Sequence, residues 1–268
     1  MIRLIATDMD NTLVYPDKQL PLGIFPLIRR LARHGIVFAP ASARHYNNLF
    51  RMFEPAGEPM AYICDNGAYG EYQGKAFVRE ALGPEQVDRI VRVCESIPGV
   101  FLSLCARNAM YYRVPPPFFT KEDEKPDGLF RMLRLEDLRQ APEPVYRAAL
   151  YDPANPLYHS LPILREAFGE ELSATATDDV SVDLMKPGVN KGTGLEALQR
   201  LLGVTPAETM AFGDYYNDLE MLGRAEYSFA VANAIDGVKA CCRYTAESNA
   251  EEGVLRAIER YLDEQGLE

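Results

Sequence analysis

Two carboxylates set the terms for this chain. The run Ile2-Arg3-Leu4-Ile5-Ala6-Thr7 ends in Asp8-Met9-Asp10-Asn11-Thr12-Leu13. A short, mostly apolar segment suits a buried parallel strand, and an i, i+2 spacing sends both acids to one face. Open α/β sheets bind ligands just beyond the carboxyl ends of such strands. Two acids placed there need a cation or a proton to offset their desolvation. Asp and Asn also suit a plain turn at a strand exit. A calcium loop would use Asp8, Asp10 and Thr12, but it requires Gly where Leu13 stands and Glu where Gln19 stands.

Three more stretches place polar groups at strand exits or at a helix start. Ser42 follows the apolar run 36–41, and Lys191 opens a helical pattern over 190–202. Gly213-Asp214-Tyr215-Tyr216-Asn217-Asp218 follows the buried-strand pattern 209–212. Each has a structural reading when taken singly. Ser42 suits a turn, Lys191 a solvated side chain, and Asp214 and Asp218 suit acids near a helix N-terminus. The helix dipole opposes a lysine at that position, which weighs toward a functional reason for Lys191. Asn66-Gly67 is a turn signal in its own right. His34, His45 and His159 show no ligand spacing and read as surface or helix residues.

The elements that must position these groups follow from periodicity. Ile24, Leu27, Ile28 and Leu31 recur at helical spacing, with Gly35 as a terminator, so a helix is predicted over 21–34. Strands are predicted at 36–41 and 60–64, with a helix over 45–53 between them. From Pro84 the texture changes. A helix carrying Val87, Ile90, Val91 and Cys94 precedes alternating strands at 100–105 and 110–114. The charged, turn-rich run from Pro115 through Gly128 reads as loop. A strand at 145–151, a helix at 157–168 and a hairpin over 172–185 complete this part. From Lys186 the α/β rhythm returns, with a capping box at Thr205 and Glu208, a strand at 227–231 and a final helix at 249–262. The expected fold is α/β, a mostly parallel sheet core over 1–83 and 184–268, with an α+β insert over 84–183.

With 268 residues, 47% hydrophobic and 25% charged, the composition is that of a globular protein able to bury one large core or two modest ones. A net charge of −11 disfavours a broad nucleic-acid footprint or an anionic membrane surface as partner. An anionic small molecule would need locally placed positive groups. There is no apolar run long enough to span a bilayer, and the first residues lack a secretory-signal pattern. Five cysteines, odd in number and without metal-ligand spacing, read for the most part as reduced core residues. The expected compartment is the cytoplasm.

In this order, the motifs resemble those of the haloacid dehalogenase (HAD) superfamily: D-x-D-x-T at Asp8-Met9-Asp10-Asn11-Thr12 and G-D-x-x-x-D at residues 213–218. Further phrases resemble its Cof-like subclass IIB: Ala41-Ser42-Ala43-Arg44, Asn66-Gly67-Ala68, Gly188-Val189-Asn190-Lys191-Gly192 and Ala232-Asn233-Ala234. The resemblance covers roughly 1–82 and 184–265, and the middle matches only in size and position. It implies a Rossmann-like core with an inserted cap, and a Mg²⁺-dependent phosphatase acting on a small phosphorylated metabolite, with sugar phosphates among the candidates. It implies Asp8 as the nucleophile that becomes aspartyl-phosphate and Asp10 as general acid/base. Asp8, Asp214 and the Asp10 backbone carbonyl are the implied Mg²⁺ ligands. Ser42, Lys191 and Asn217 are the implied phosphate contacts, supported by Thr12 and Asp218. Arg107, Asn108, Tyr111, Tyr112 and Arg113 are candidate substrate contacts in the cap. The same scaffold also suits a phosphotransferase or mutase, or a non-catalytic phospho-acceptor. Asn11 stands where relatives commonly have Gly, and Ser42-Ala43 where they have Thr-Gly; Ala43 restricts the backbone if that position needs a positive φ.

Overall fold

Parallel pairing on both sides of the first strand builds the principal sheet. The computed structural model describes residues 1–117, 119–120, 131–177 and 179–267. The chain opens with β1 (Leu4–Thr7), α1 (Ile24–Arg33), β2 (Val37–Pro40) and α2 (Tyr46–Phe53), then β3 (Ala61–Cys64), β4 (Tyr69–Tyr72) and β5 (Lys75–Arg79). Next come α3 (Pro84–Glu95), β6 (Phe101–Ala106), β7 (Met110–Tyr112), β8 (Met132–Arg134), β9 (Val145–Tyr151), α4 (Ser160–Phe168), β10 (Ser173–Ala176) and β11 (Ser181–Met185). The last part holds α5 (Lys191–Leu202), β12 (Thr209–Gly213), α6 (Leu219–Leu222), β13 (Tyr227–Val231), α7 (Asp236–Lys239), β14 (Tyr244–Ala246) and α8 (Gly253–Glu264). Among the described residues no helix is long and apolar enough to cross a membrane.

These elements fall into two compact units: Met1–Ala43, Leu49–Val78 and Asn190–Glu268 in one, Arg44–Asn48 and Arg79–Val189 in the other. The first contains a five-stranded sheet in the order β14-β13-β12-β1-β2. Every pairing in it is parallel, with Leu4 opposite Thr209 on one side and Val37 on the other. β1 and β12 are buried along their whole length, which explains their unbroken apolar character. The chain winds to one side through β2 and returns on the other through β12, so β1 and β12 flank a topological switch point, where a crevice opens beyond the strand ends. The predicted strand at 60–64 does not extend this sheet as a full neighbour. β3 pairs antiparallel with β4 in a separate three-stranded sheet and meets the end of β2 at the isolated parallel bridge Ala41–Ile63.

The second unit is a six-stranded sheet in the order β10-β11-β9-β6-β7-β8, antiparallel except for β7 with β8. Apolar residues of α3 (Val87, Ile90, Val91) and α4 (Leu161, Leu164, Phe168) form one core with Leu104, Ala148, Leu150, Val182 and Leu184 of its strands. The predicted hairpin over 172–185 is present as β10 and β11. Of the expected loop from Pro115 through Gly128, Phe118 and residues 121–128 lie outside the described residues. His45 is a buried helix cap, not a surface residue: its ring Nδ1 accepts the Asn48 backbone N–H at 3.1 Å. Burial, with the Arg147 and Arg44 charges nearby, pushes its imidazolium pKa down to about 3, so the ring is neutral and able to accept.

Candidate active site

Asp8 leaves β1 in extended conformation (φ −63°, ψ 162°), and its N–H donates to the Phe212 carbonyl at 3.0 Å. That bond continues the ladder one residue past the strand and brings the Asp8 loop to the exit of β12, where Asp214 follows. Thr12 donates its hydroxyl to Asp214 Oδ1 at 3.0 Å. Lys191 Nζ lies 2.5 Å from Asp8 Oδ1 and 2.7 Å from Asp218 Oδ1. The other oxygen of Asp218 accepts the Asp214 and Tyr215 N–H groups at 3.0 and 3.2 Å. Asp8, Asp214 and Asp218 each bring one carboxylate oxygen within 4.8 Å of the others. All three acids and Lys191 are buried, Lys191 to 1% exposure. The lysine is a fully enclosed counter-ion, which the solvated reading does not accommodate.

The charges do not balance without help. One ammonium serves three buried carboxylates. Lys191 is pushed above the usual lysine range by Asp218 and Asp8, which outweigh its burial, and it stays charged. Asp8 carries the deficit: burial, against the pull of Lys191 and with Asp218 and Asp214 adding repulsion, pushes its carboxyl up to about 8. Asp214 rises to about 6, chiefly through burial and Asp218. Two like charges ~4 Å apart repel by about 4 kcal/mol at an effective dielectric near 20. A hard cation with oxygen ligands removes that repulsion, and this donor set, all carboxylate, fits one.

Glycines let the pieces close around Lys191. A Cβ on Gly67 (φ 94°) would lie 2.1 Å from the Asn190 carbonyl oxygen, and one on Gly194 2.7 Å from Ile63 Cγ2. The turn Asp65–Gly67 therefore packs directly on the start of α5, and Asn190 caps that helix by accepting the Thr193 N–H at 2.9 Å. Asn66-Gly67 is structural in this sense: it seats the helix that carries the lysine. Gly67→Ala should destabilise the protein by about 2 kcal/mol or more, from backbone overlap plus left-handed strain. Urea unfolding checks this, and a loss below about 0.5 kcal/mol would mean the two backbones can separate freely.

The remaining expected residues are placed as follows. Ser42 is buried at the exit of β2, its N–H on the Ile63 carbonyl and its carbonyl accepting the Asn66 N–H. Asp10 is half-buried, its carboxylate ion-paired with Lys18 at 3.1 Å. Asn217 is exposed in the turn that carries Asp218. Asn11 takes the left-handed conformation (φ 62°), which Asn tolerates better than other non-glycine residues. Ala43 does not have a positive φ, so its methyl group costs nothing there. In the second unit, Asn108 and Tyr111 both donate to Glu143 at 2.7 Å, Arg113 pairs with Glu95, the Arg107 guanidinium sits 4.2 Å from the Tyr46 ring centre, and Tyr112 is buried. These five are bonded or packed within their own unit.

The haloacid dehalogenase-like hydrolase family model matches residues 5–258. The chain is 31% identical over 267 residues to 5-amino-6-(5-phospho-D-ribitylamino)uracil phosphatase YbjI of Escherichia coli, covering 97% of this chain and 96% of that protein. It is 28% identical to HMP-PP phosphatase of Cronobacter sakazakii over 237 residues, 88% of this chain and 86% of that one. The solved HAD subclass IIB sugar phosphatase BT4131 superposes with a TM-score of 0.77 at 21% identity, covering 99% of this chain and 100% of that one, and shares the fold. This chain belongs to the haloacid dehalogenase-like hydrolases. Within them it is a phosphomonoester hydrolase, with a parallel-sheet core and an inserted antiparallel α+β region.

Proposed function

We propose that this protein hydrolyses the phosphate monoester of a small metabolite through an aspartyl-phosphate on Asp8, with Mg²⁺ as its metal. The observation that carries this reading is the Asp8 carboxylate, held at the switch point by Lys191 and clustered with Asp214 and Asp218. Asp8 Oδ attacks phosphorus, the bond from phosphorus to the ester oxygen breaks, and Asp10 gives that oxygen its proton. Asp10 then takes a proton from water as the water oxygen attacks phosphorus. The bond to Asp8 breaks, leaving a free carboxylate and inorganic phosphate. The Ser42 hydroxyl and the Asn217 amide would donate to phosphate oxygens, while Lys191 offsets the developing charge. Asp8, Asp214 and the Asp10 carbonyl would hold Mg²⁺, with Asp218 fixing Lys191 and the metal's surroundings. The ion would neutralise the repulsion between a carboxylate nucleophile and a dianionic ester.

The relatives' names support a small phosphorylated metabolite as substrate, and we assign residues 84–183 the role of a cap that selects the leaving group. The five cysteines are free, consistent with work in the reducing cytoplasm. Phosphate release from a panel of phosphorylated metabolites, with and without Mg²⁺ and with no acceptor other than water, tests the proposal. Mg²⁺-dependent release is expected. Release only when an acceptor sugar is added would make the protein a transferase, and none under any condition would overturn the reading.

A further inference from the structure

Two loops carry the acids of the site, and one short segment grips both. Asn233 donates from Nδ2 to the Asn11 carbonyl at 2.7 Å, and its Oδ1 accepts the Asn249 N–H at 3.0 Å. Two residues on, the Ile235 N–H donates to the Asp214 carbonyl at 3.1 Å. The Asn249 side chain, buried, donates to the Val14 carbonyl at 2.8 Å, at the far end of the loop that starts at Asp8. The amide of Asn233 can be oriented only one way, because a flip would set oxygen against the Asn11 oxygen and N–H against N–H.

We propose that Asn233 is a positioning residue: through the Asn11 carbonyl it sets the Asp8–Asp10 loop against the Asp214 loop, and so the spacing of the groups that hold the metal and the phosphoryl group. The inference rests on the function proposed above. Three observations favour this over simple scaffolding. Asn233 is exposed, so little of its value comes from burial. Both ends of its amide are used, one on each side of the loop's anchorage. The carbonyl it holds belongs to the left-handed residue directly after Asp10, one peptide on from the Asp10 carbonyl. Partners that orient the groups at a metal site commonly change affinity or rate by about 10–100-fold when removed.

Asn233→Asp separates the two bonds. It keeps the acceptor for the Asn249 N–H but turns an oxygen toward the Asn11 carbonyl. Steady-state kinetics, thermal melting and Mg²⁺ calorimetry without substrate should be run on the wild type, Asn233→Asp and Asn233→Ala. The expected result is kcat lower by about tenfold or more in both variants, KM within about threefold, and Mg²⁺ affinity weaker by about tenfold. Melting of Asn233→Asp should stay close to wild type. If either folded variant keeps kcat and Mg²⁺ affinity within about twofold of wild type, the inference is wrong. A wild type that releases no phosphate would instead sink the phosphatase reading, and calorimetry would still decide whether Asn233 shapes the metal site.

Discussion

Asp8→Asn should lower turnover by roughly 10⁴-fold or more, as removal of a covalent nucleophile does elsewhere, and leave the fold standing. The fold should survive because the charge on Asp8 is not what holds it together. Burial and the neighbouring acids push this carboxyl up to about 8 from its usual 3.8. A carboxyl whose folded pKa lies above its unfolded value favours the fold while protonated, so this contribution is lost as pH rises from about 4 toward 8. Asparagine carries no such slope. Metal-free Asp8→Asn should therefore gain on the wild type as pH rises, and melting in chelator at pH 5 and pH 8 reads the difference directly. Phosphate release at a wild-type rate would refute the nucleophile; a variant that loses ground toward pH 8 would show that the Asp8–Lys191 pair stabilises the charged state after all.

Lys191→Met should act in the opposite way, harming stability as much as chemistry. The ammonium is enclosed between Asp8 and Asp218, and a methionine of similar length fills the space but leaves both acids without their cation. Breaking a buried pair by removing one partner costs about 3–5 kcal/mol, a large share of the roughly 5–15 kcal/mol that holds a domain folded. The melting midpoint should fall by on the order of 10 °C. Mg²⁺ should restore more stability to this variant than it adds to the wild type, because it supplies positive charge the lysine no longer gives. The double variant Lys191→Met with Asp218→Asn should recover part of the loss without metal. A single variant as stable as wild type in chelator would mean that the pairing of Lys191 with these acids does not hold the fold.

What was legible in the sequence follows from how directly local pattern encodes position. Asp8, Asp214 and Lys191 were readable because each sits where an apolar strand or a helical pattern begins or ends, and the motif order joined them. The direct contact of Lys191 with Asp8 was not readable, since it depends on Gly67 and Gly194 letting α5 approach the Asp65–Gly67 turn. Pairing partners were harder still. Residues 60–64 read as a strand, but strand pattern does not say which sheet will take it, and backbone bonds from Ser42 and to Ile63 drew it aside. Asn233 lay in a recognisable phrase, yet an Asn between small residues reads as a turn until the Asn11 carbonyl is seen against it.

The register of β1 has a consequence for how the protein is made. One neighbour, β2, lies about thirty residues away in the chain, while the other, β12, begins at Thr209. During synthesis β1 can pair on one side early, but its second edge stays open until Gly213 is clear of the ribosome. From Pro40 to Gly213 that is 173 residues, roughly 9–35 s at elongation rates of about 5–20 residues per second. For that interval a strand that ends up buried along its whole length has an uncapped edge, the form most prone to joining another chain. The insert between the two halves lengthens that wait. Its own sheet pairs only among residues 101–185, so it can fold while the core is still waiting, and the acids of the site meet last.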